Sequence, residues 1–142
     1  MADLGRKSEA LAAYDAALKI NPRYAQAWFN KGTVLDDLGR KPEALAAFDA
    51  ALKINPRFAE AWSNKGLVLA DLGRKPEALA AFDEALKINP RYAEAWCNKG
   101  VLFANAGYFK KALECFRRAE TLGLPQAVQG VALCIRQISG GE

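Results

Sequence analysis

A tryptophan returns every 34 residues, at Trp28, Trp62 and Trp96. Gly32, Gly66 and Gly100 keep the same step, as do Gly5, Gly39, Gly73 and Gly107, and Pro22, Pro56 and Pro90. Residues 25–58 and 59–92 differ at only six places. A period this strict confines the chain to a stack of near-identical supersecondary units. One unit cannot bury its own apolar flank, so it is stable only against its neighbours.

Within each unit the spacing predicts two helices. Pro42 and Pro76 follow Gly39-Arg-Lys and Gly73-Arg-Lys, a place that suits the first turn of a helix, where proline's missing N–H costs nothing. In the helix that follows, Ala44, Leu45, Phe48, Ala51 and Leu52 recur at helical spacing. It stops at Asn55-Pro56, because a residue before proline is pushed out of the α region. The expected helices lie near 8–20, 25–38, 42–54, 59–72, 76–88, 93–106, 110–121 and 126–138.

Composition then removes function classes. The chain has 142 residues, no histidine, and a net charge of +4 from 20 basic and 16 acidic residues. Without histidine the usual general base and the commonest metal ligand are both missing. Cys97, Cys115 and Cys134 are 18 and 19 residues apart, which matches no zinc or redox spacing. Unclustered cysteines in odd number fit a reducing, cytoplasmic setting. Lys and Arg are dispersed through every repeat, which argues against a nucleic-acid surface. No stretch approaches a membrane span, and the N-terminus lacks the apolar core of a secretory signal. The expectation is a chain with no catalytic residues, no metal and no cofactor, whose partners are polypeptides and neither nucleic acid nor membrane.

The pattern resembles the tetratricopeptide repeat family. Trp28, Gly32, Leu35, Gly39, Ala44, Phe48, Ala51 and Pro56 match its signature in order and spacing, and Trp62 to Pro90 matches again at every such place. The third copy keeps Trp96, Gly100, Gly107, Ala112, Phe116 and Ala119, departs at Phe103, and has its proline one residue late at Pro125. The resemblance implies an all-α, right-handed superhelical solenoid of antiparallel helix pairs, with a concave groove lined by the first helix of each pair. The expected organisation is one solenoid over 1–142: a half repeat at 1–24, repeats at 25–58, 59–92 and 93–126, and a capping helix and tail at 127–142.

At about 100° per residue, Ala25, Trp28, Gly32 and Leu35 share the face toward the second helix. Ala27, Val34 and Leu38 share another that meets the preceding pair, with Lys31 snorkelling at its edge. The third face holds Gln26, Phe29, Asn30, Thr33, Asp36 and Asp37, and packing does not explain its polarity. Phe29, Ser63 and Cys97 differ between copies, so they are expected to point into an open groove. Asn30, Asn64 and Asn98 share that face and stay constant. Tetratricopeptide proteins that hold extended peptides carry a similar asparagine ladder, whose amides bond the ligand main chain. Asn suits this because one side chain both donates and accepts. Duplication alone would also hold it constant. Choice of ligand would fall to Phe29, which favours an apolar side chain, and to Gln26, Glu60, Glu94, Asp36, Asp37 and Asp71, which favour a polar or basic one. Thr33 and Phe29 stand where a clamp for carboxylate tails would begin with Asn and Lys, so that clamp is not expected.

The ends raise a second expectation. MADLGRK repeats the tail of a first helix, so the chain reads as a fragment of a longer array, or one cut there, and residues 8–20, with Leu11, Tyr14 and Leu18, lack a neighbour. At the other end Ala127 takes the place of Ala25, Gly130 that of Trp28 and Cys134 that of Gly32. Val128, Val131, Leu133, Ile135 and Ile138 leave this cap apolar on nearly all sides. The alternative activity is therefore self-association, head to tail or by swapping, through these terminal helices.

Overall fold

The computed structural model describes residues 2–140; Met1 of the expected half repeat and the Gly141-Glu142 tail lie outside the described residues. Eight helices follow in order, among the described residues: α1 (Ala2–Ile20), α2 (Ala25–Asp37), α3 (Lys41–Ile54), α4 (Ala59–Asp71), α5 (Lys75–Ile88), α6 (Ala93–Asn105), α7 (Phe109–Thr121) and α8 (Ala127–Gly140). Each packs on the next, and α2, α4, α6 and α8 also touch in succession, which makes the chain a solenoid of helix pairs.

Two kinds of turn build this path. After α2, α4 and α6 the chain reverses through Gly39, Gly73 and Gly107 at φ +77°, +79° and +86°, a conformation that favours glycine. Gly39 N–H then donates to Asp36 C=O and Arg40 N–H to Leu35 C=O, both at 2.9 Å, closing a Schellman turn. After α1, α3 and α5 the turn is Asn-Pro. There the side-chain oxygens of Asn21, Asn55 and Asn89 accept the N–H of Arg23, Arg57 and Arg91 at 3.1–3.2 Å.

The core of each pair is a phenylalanine ring laid on a glycine. A Cβ on Gly32 would stand 2.7 Å from the Phe48 ring, on Gly66 2.6 Å from Phe82, and on Gly100 2.8 Å from Phe116. Phe48 and Phe82 are buried, as are Ala44, Ala51, Ala78 and Ala85 around them. Small residues let the helices close to this distance, and the ring fills the space that remains.

The tryptophans pack at the edge of these cores, on the face toward the second helix, and also fasten the turns. Each is half-buried, and its indole N–H donates at 2.9 Å to the carbonyl of Pro22, Pro56 or Pro90, which fastens the preceding turn. Lys31, Lys65 and Lys99 lie over the three rings at 5.2–5.4 Å. They are also not merely snorkelling. Their ammonium groups pair with Asp15, Asp49 and Asp83 of the preceding second helix at 2.7, 2.7 and 2.8 Å. Partly exposed pairs of this kind contribute about 0–1 kcal/mol, so their main effect is to hold the register between consecutive pairs.

Both ends depart from the expected pattern. Residues 2–20 form one continuous helix rather than a short tail followed by a helix at 8–20. Gly5 stands where Gly39 stands but has no positive φ. Ser8 occupies the place of Pro42 and Pro76, so no proline starts a new helix here, and among the described residues no earlier helix requires a reversal.

The last helix sits two residues out of the expected register. Ala127 and Cys134 are buried, as are Ala95 and Leu102 at the same spacing, so Ala127 matches Ala95 and not Ala93. The cause lies in the turn: α7 ends on a glycine turn, with Gly123 at φ +95°, Gly123 N–H on Glu120 C=O and Leu124 N–H on Ala119 C=O. This brings α8 onto α7 early. Gly130 lies on the ring, where a Cβ would stand 2.6 Å from Phe116, and Cys134 is buried in the same cluster with Phe116 and Ala112. Phe116 is thus held between Gly100 and Gly130.

Candidate functional site: the face formed by the first helices

Where α4 meets α6 a cleft of ≈ 140 Å³ opens between Leu67, Ala70 and Asp71 on one side and Asn98, Val101 and Asn105 on the other, with Lys75 and Phe82 of α5 behind it. A second cleft of ≈ 320 Å³ lies between Cys97, Val101 and Asn105 of α6 and Gln126, Gln129, Gly130 and Leu133 at α8. Counterparts of Asn30, Thr33, Asp36 and Asp37 line these clefts, whereas Glu60 and Glu94, the counterparts of Gln26, do not. Leu67 and Val101, with Leu133 in line, are 38%, 44% and 41% exposed, so an apolar row runs along this face. A wheel drawn on residues 25–38 alone could not show this row, because its member there is Thr33.

The places of Phe29 and Ser63 are not open, which corrects the expectation that nothing constrains them, while Cys97 stands half-buried at the second cleft. Phe29 packs on Phe58 with ring centroids 4.8 Å apart, and on Phe48 at 5.8 Å. Ser63 is 1% exposed. It neighbours Tyr92, the counterpart of Phe58, whose phenol is shifted up by burial first and then by Glu60 and Glu94, with the Ser63 hydroxyl partly offsetting this. The variation is a matched one: Phe29 meets Phe58, and a small hydroxyl meets the larger Tyr92. Cys97 is half-buried, and burial together with Glu94 pushes its thiol up, away from nucleophilic use. Cys115, buried against α6, is pushed up to about 11.

The asparagines keep different company from one another. Asn30 accepts from Gln26 Nε2 at 3.0 Å, and Asn98 Nδ2 donates to Ser63 Oγ at 3.4 Å, joining α6 to α4. The Asn64 side chain has no hydrogen bond among the described residues, since its neighbour across the repeat is Phe29. The ladder ends at Asn98, because the next place in register is Gly130.

Charge on this face is distributed unevenly. Glu60 and Glu94 lie in the first turns of α4 and α6. At the other edge, Lys41 bridges two repeats, with Nζ 2.6 Å from Asp36 and 3.1 Å from Asp71; both bonds hold its ammonium above the usual lysine range. Thr33 Oγ donates to the Phe29 carbonyl at 3.1 Å, so this hydroxyl is turned to its own helix.

The terminal apolar residues split into two groups. Leu18 is buried, Leu11 packs on the core around Phe48, and Val131 packs on the core around Phe116. Tyr14 and Ile138 are half-buried, while Val128 and Ile135 are exposed, as are Leu4 and Ile20, which the sequence pattern did not single out. No group of three or more His, Cys, Asp or Glu among the described residues could hold a metal, and no described helix is long and apolar enough to cross a membrane.

Two crystal structures are similar in fold. One, of MamA, superposes with a TM-score of 0.85 at 23% identity, over 97% of this chain and 81% of that one. The other, also of MamA protein, gives 0.83 at 23%, over 96% and 76%. No curated protein matches in sequence. The family model described as tetratricopeptide repeat matches residues 2–57, 31–93 and 64–126. With its signature residues at the glycine–phenylalanine contacts and turns described above, the chain belongs to the tetratricopeptide repeat family.

Proposed function

We propose that this chain is a non-catalytic scaffold that holds an extended peptide or partner segment on the face formed by the first helices, with Asn30, Asn64 and Asn98 bonding the ligand main chain. The observation that carries this is where the near-identical repeats differ. Of the six differences between 25–58 and 59–92, those at 29 and 58 are the matched packing pair, and that at 50 lies on a second helix. The remaining three, at 26, 33 and 36, all fall on the open face. Asn stays constant beside them. A surface that varies around a fixed amide separates recognition of side chains from recognition of backbone.

Each Asn adds two hydrogen bonds of about 0.5–1.5 kcal/mol net, against an association cost of about 4–15 kcal/mol. Amides alone therefore give weak binding, and Leu67, Val101 and the charged residues must supply the rest. Asn64 provides the clean test, because it has no partner to lose within the described fold. Asn64→Ala is expected to change stability by less than about 0.5 kcal/mol and to weaken peptide binding about tenfold, read by fluorescence polarisation with labelled decapeptides. Unchanged affinity for peptides that wild type binds would remove the ladder from the reading.

Self-association is the second reading, favoured by Ile20 at 87% exposed near one end and Val128 and Ile135 at about half exposed near the other. Light scattering behind size exclusion is expected to show mass rising with concentration, and Val128→Glu with Ile135→Glu to hold it at one chain. A wild-type mass of one chain across the whole range rules this reading out.

A further inference from the structure

Lys41 and Lys75 occupy the same place in successive repeats, yet their surroundings differ. Lys41 is held by Asp36 and Asp71 at 2.6 and 3.1 Å. The corresponding places around Lys75 are Ala70 and Asn105. Two substitutions, Asp to Ala and Asp to Asn, thus remove both carboxylates that neutralise the earlier lysine. Lys75 has no carboxylate within ion-pair distance among the described residues and is exposed at the α4–α6 cleft.

We propose that Lys75 is the anchor for a carboxylate on the bound peptide, with Asn105 as its amide partner and the Leu67–Val101 row seating an adjacent apolar side chain. This rests on the groove reading above and names the ligand chemistry at one point along it. The charged groups facing the cleft are Lys75 and Asp71, and Asp71 is already engaged by Lys41. Glu60 and Glu94 do not cancel the lysine. Glu60 is eleven residues before Asp71 on the same helix, about 16 Å away along the axis. The two edges of the face therefore differ in sign at this repeat. Lys75 is exposed in the free chain, and a Lys–carboxylate contact that a bound peptide covers gains more than the same pair left on an open surface.

The test restores what the preceding repeat already has. Ala70→Asp with Asn105→Asp recreates the surroundings of Lys41, an arrangement the fold demonstrably accommodates. Fluorescein-labelled positional-scanning decapeptides, made as C-terminal amides and as free acids, are titrated against wild type and this variant by polarisation. Wild type is expected to prefer Asp or Glu at one fixed position, or the free acid over the amide. The variant is expected to lose that preference with about a tenfold fall in affinity. Preference in the amide set assigns a side-chain carboxylate; preference only in the free acids assigns the chain terminus. Peptide binding without any acidic preference, or with one the variant keeps, overturns the carboxylate assignment and leaves the groove reading standing. No binding by any sublibrary overturns both.

Discussion

Phe82→Ala is expected to lower the unfolding free energy by about 3–5 kcal/mol, the usual range for emptying a fully buried aromatic site. The ring is 1% exposed and is packed with Leu69, Ala78, Ala81 and Leu102. The site cannot collapse cheaply. Gly66 faces the ring with backbone rather than a side chain that could swing in, and the flanking alanines have no rotamers to offer. Folded domains of this size are stable by only about 5–15 kcal/mol, so the loss is a large share of the total. Because a solenoid couples through neighbouring repeats, the damage is placed mid-stack, and the two flanking pairs lose their shared support. Urea unfolding followed by circular dichroism is expected to show a lower midpoint and a broadened or two-step transition. Ile20→Ala, at an exposed site, serves as the control and is expected to stay within about 0.5 kcal/mol. A Phe82→Ala loss below about 1 kcal/mol would show that this ring is not the centre of the stack.

The second large effect comes from adding one methyl group. Gly66→Ala places a Cβ 2.6 Å from Phe82 Cε1 and 2.7 Å from Cδ1, far inside contact distance. The ring has no free direction, so α4 and α5 must move apart. Overpacking of this kind costs about 1–3 kcal/mol, partly offset by the better helix propensity of alanine, about 1 kcal/mol. A destabilisation of about 0–2 kcal/mol is the expected balance. Its origin is checked by a double-mutant cycle with Phe82→Leu. In that background the shorter side chain removes the clash, and Gly66→Ala is expected to become neutral or stabilising. Strict additivity would show that the cost comes from elsewhere. Gly5→Ala gives the opposite control: Gly5 is helical with nothing within 4 Å of an added Cβ. It is expected to gain about 0.5–1 kcal/mol.

Asn64 and Asn98 show why part of the candidate site was legible in the sequence and part was not. Their shared face follows from helical spacing, because Asn98 and the places of Thr33, Asp36 and Asp37 line the α4–α6 cleft. Their partners do not. Whether an amide is already engaged depends on the residue opposite it in the preceding repeat, Ser63 for one and Phe29 for the other, 35 residues away in the chain. Variation at 29, 63 and 97 looked like freedom for the same reason. At 29 and 63 it is compensation by Phe58 and Tyr92, and only a structure brings each pair together.

Repetition itself determined the all-α solenoid, its helix pairs and its glycine and Asn-Pro turns. Every repeat carries the same local signals, and each copy confirms the others. The ends were decided by tertiary structure, because there the period no longer constrains the chain. With Ser8 in place of proline, Gly5 continues a helix. With Gly123 in the last turn, α8 reaches the Phe116 ring two residues early and puts Gly130 where the asparagine ladder would have gone on. Local spacing carries information about a residue's own turn of helix; which residue it meets across the stack is set by how closely two backbones can approach, and here glycine decides that distance.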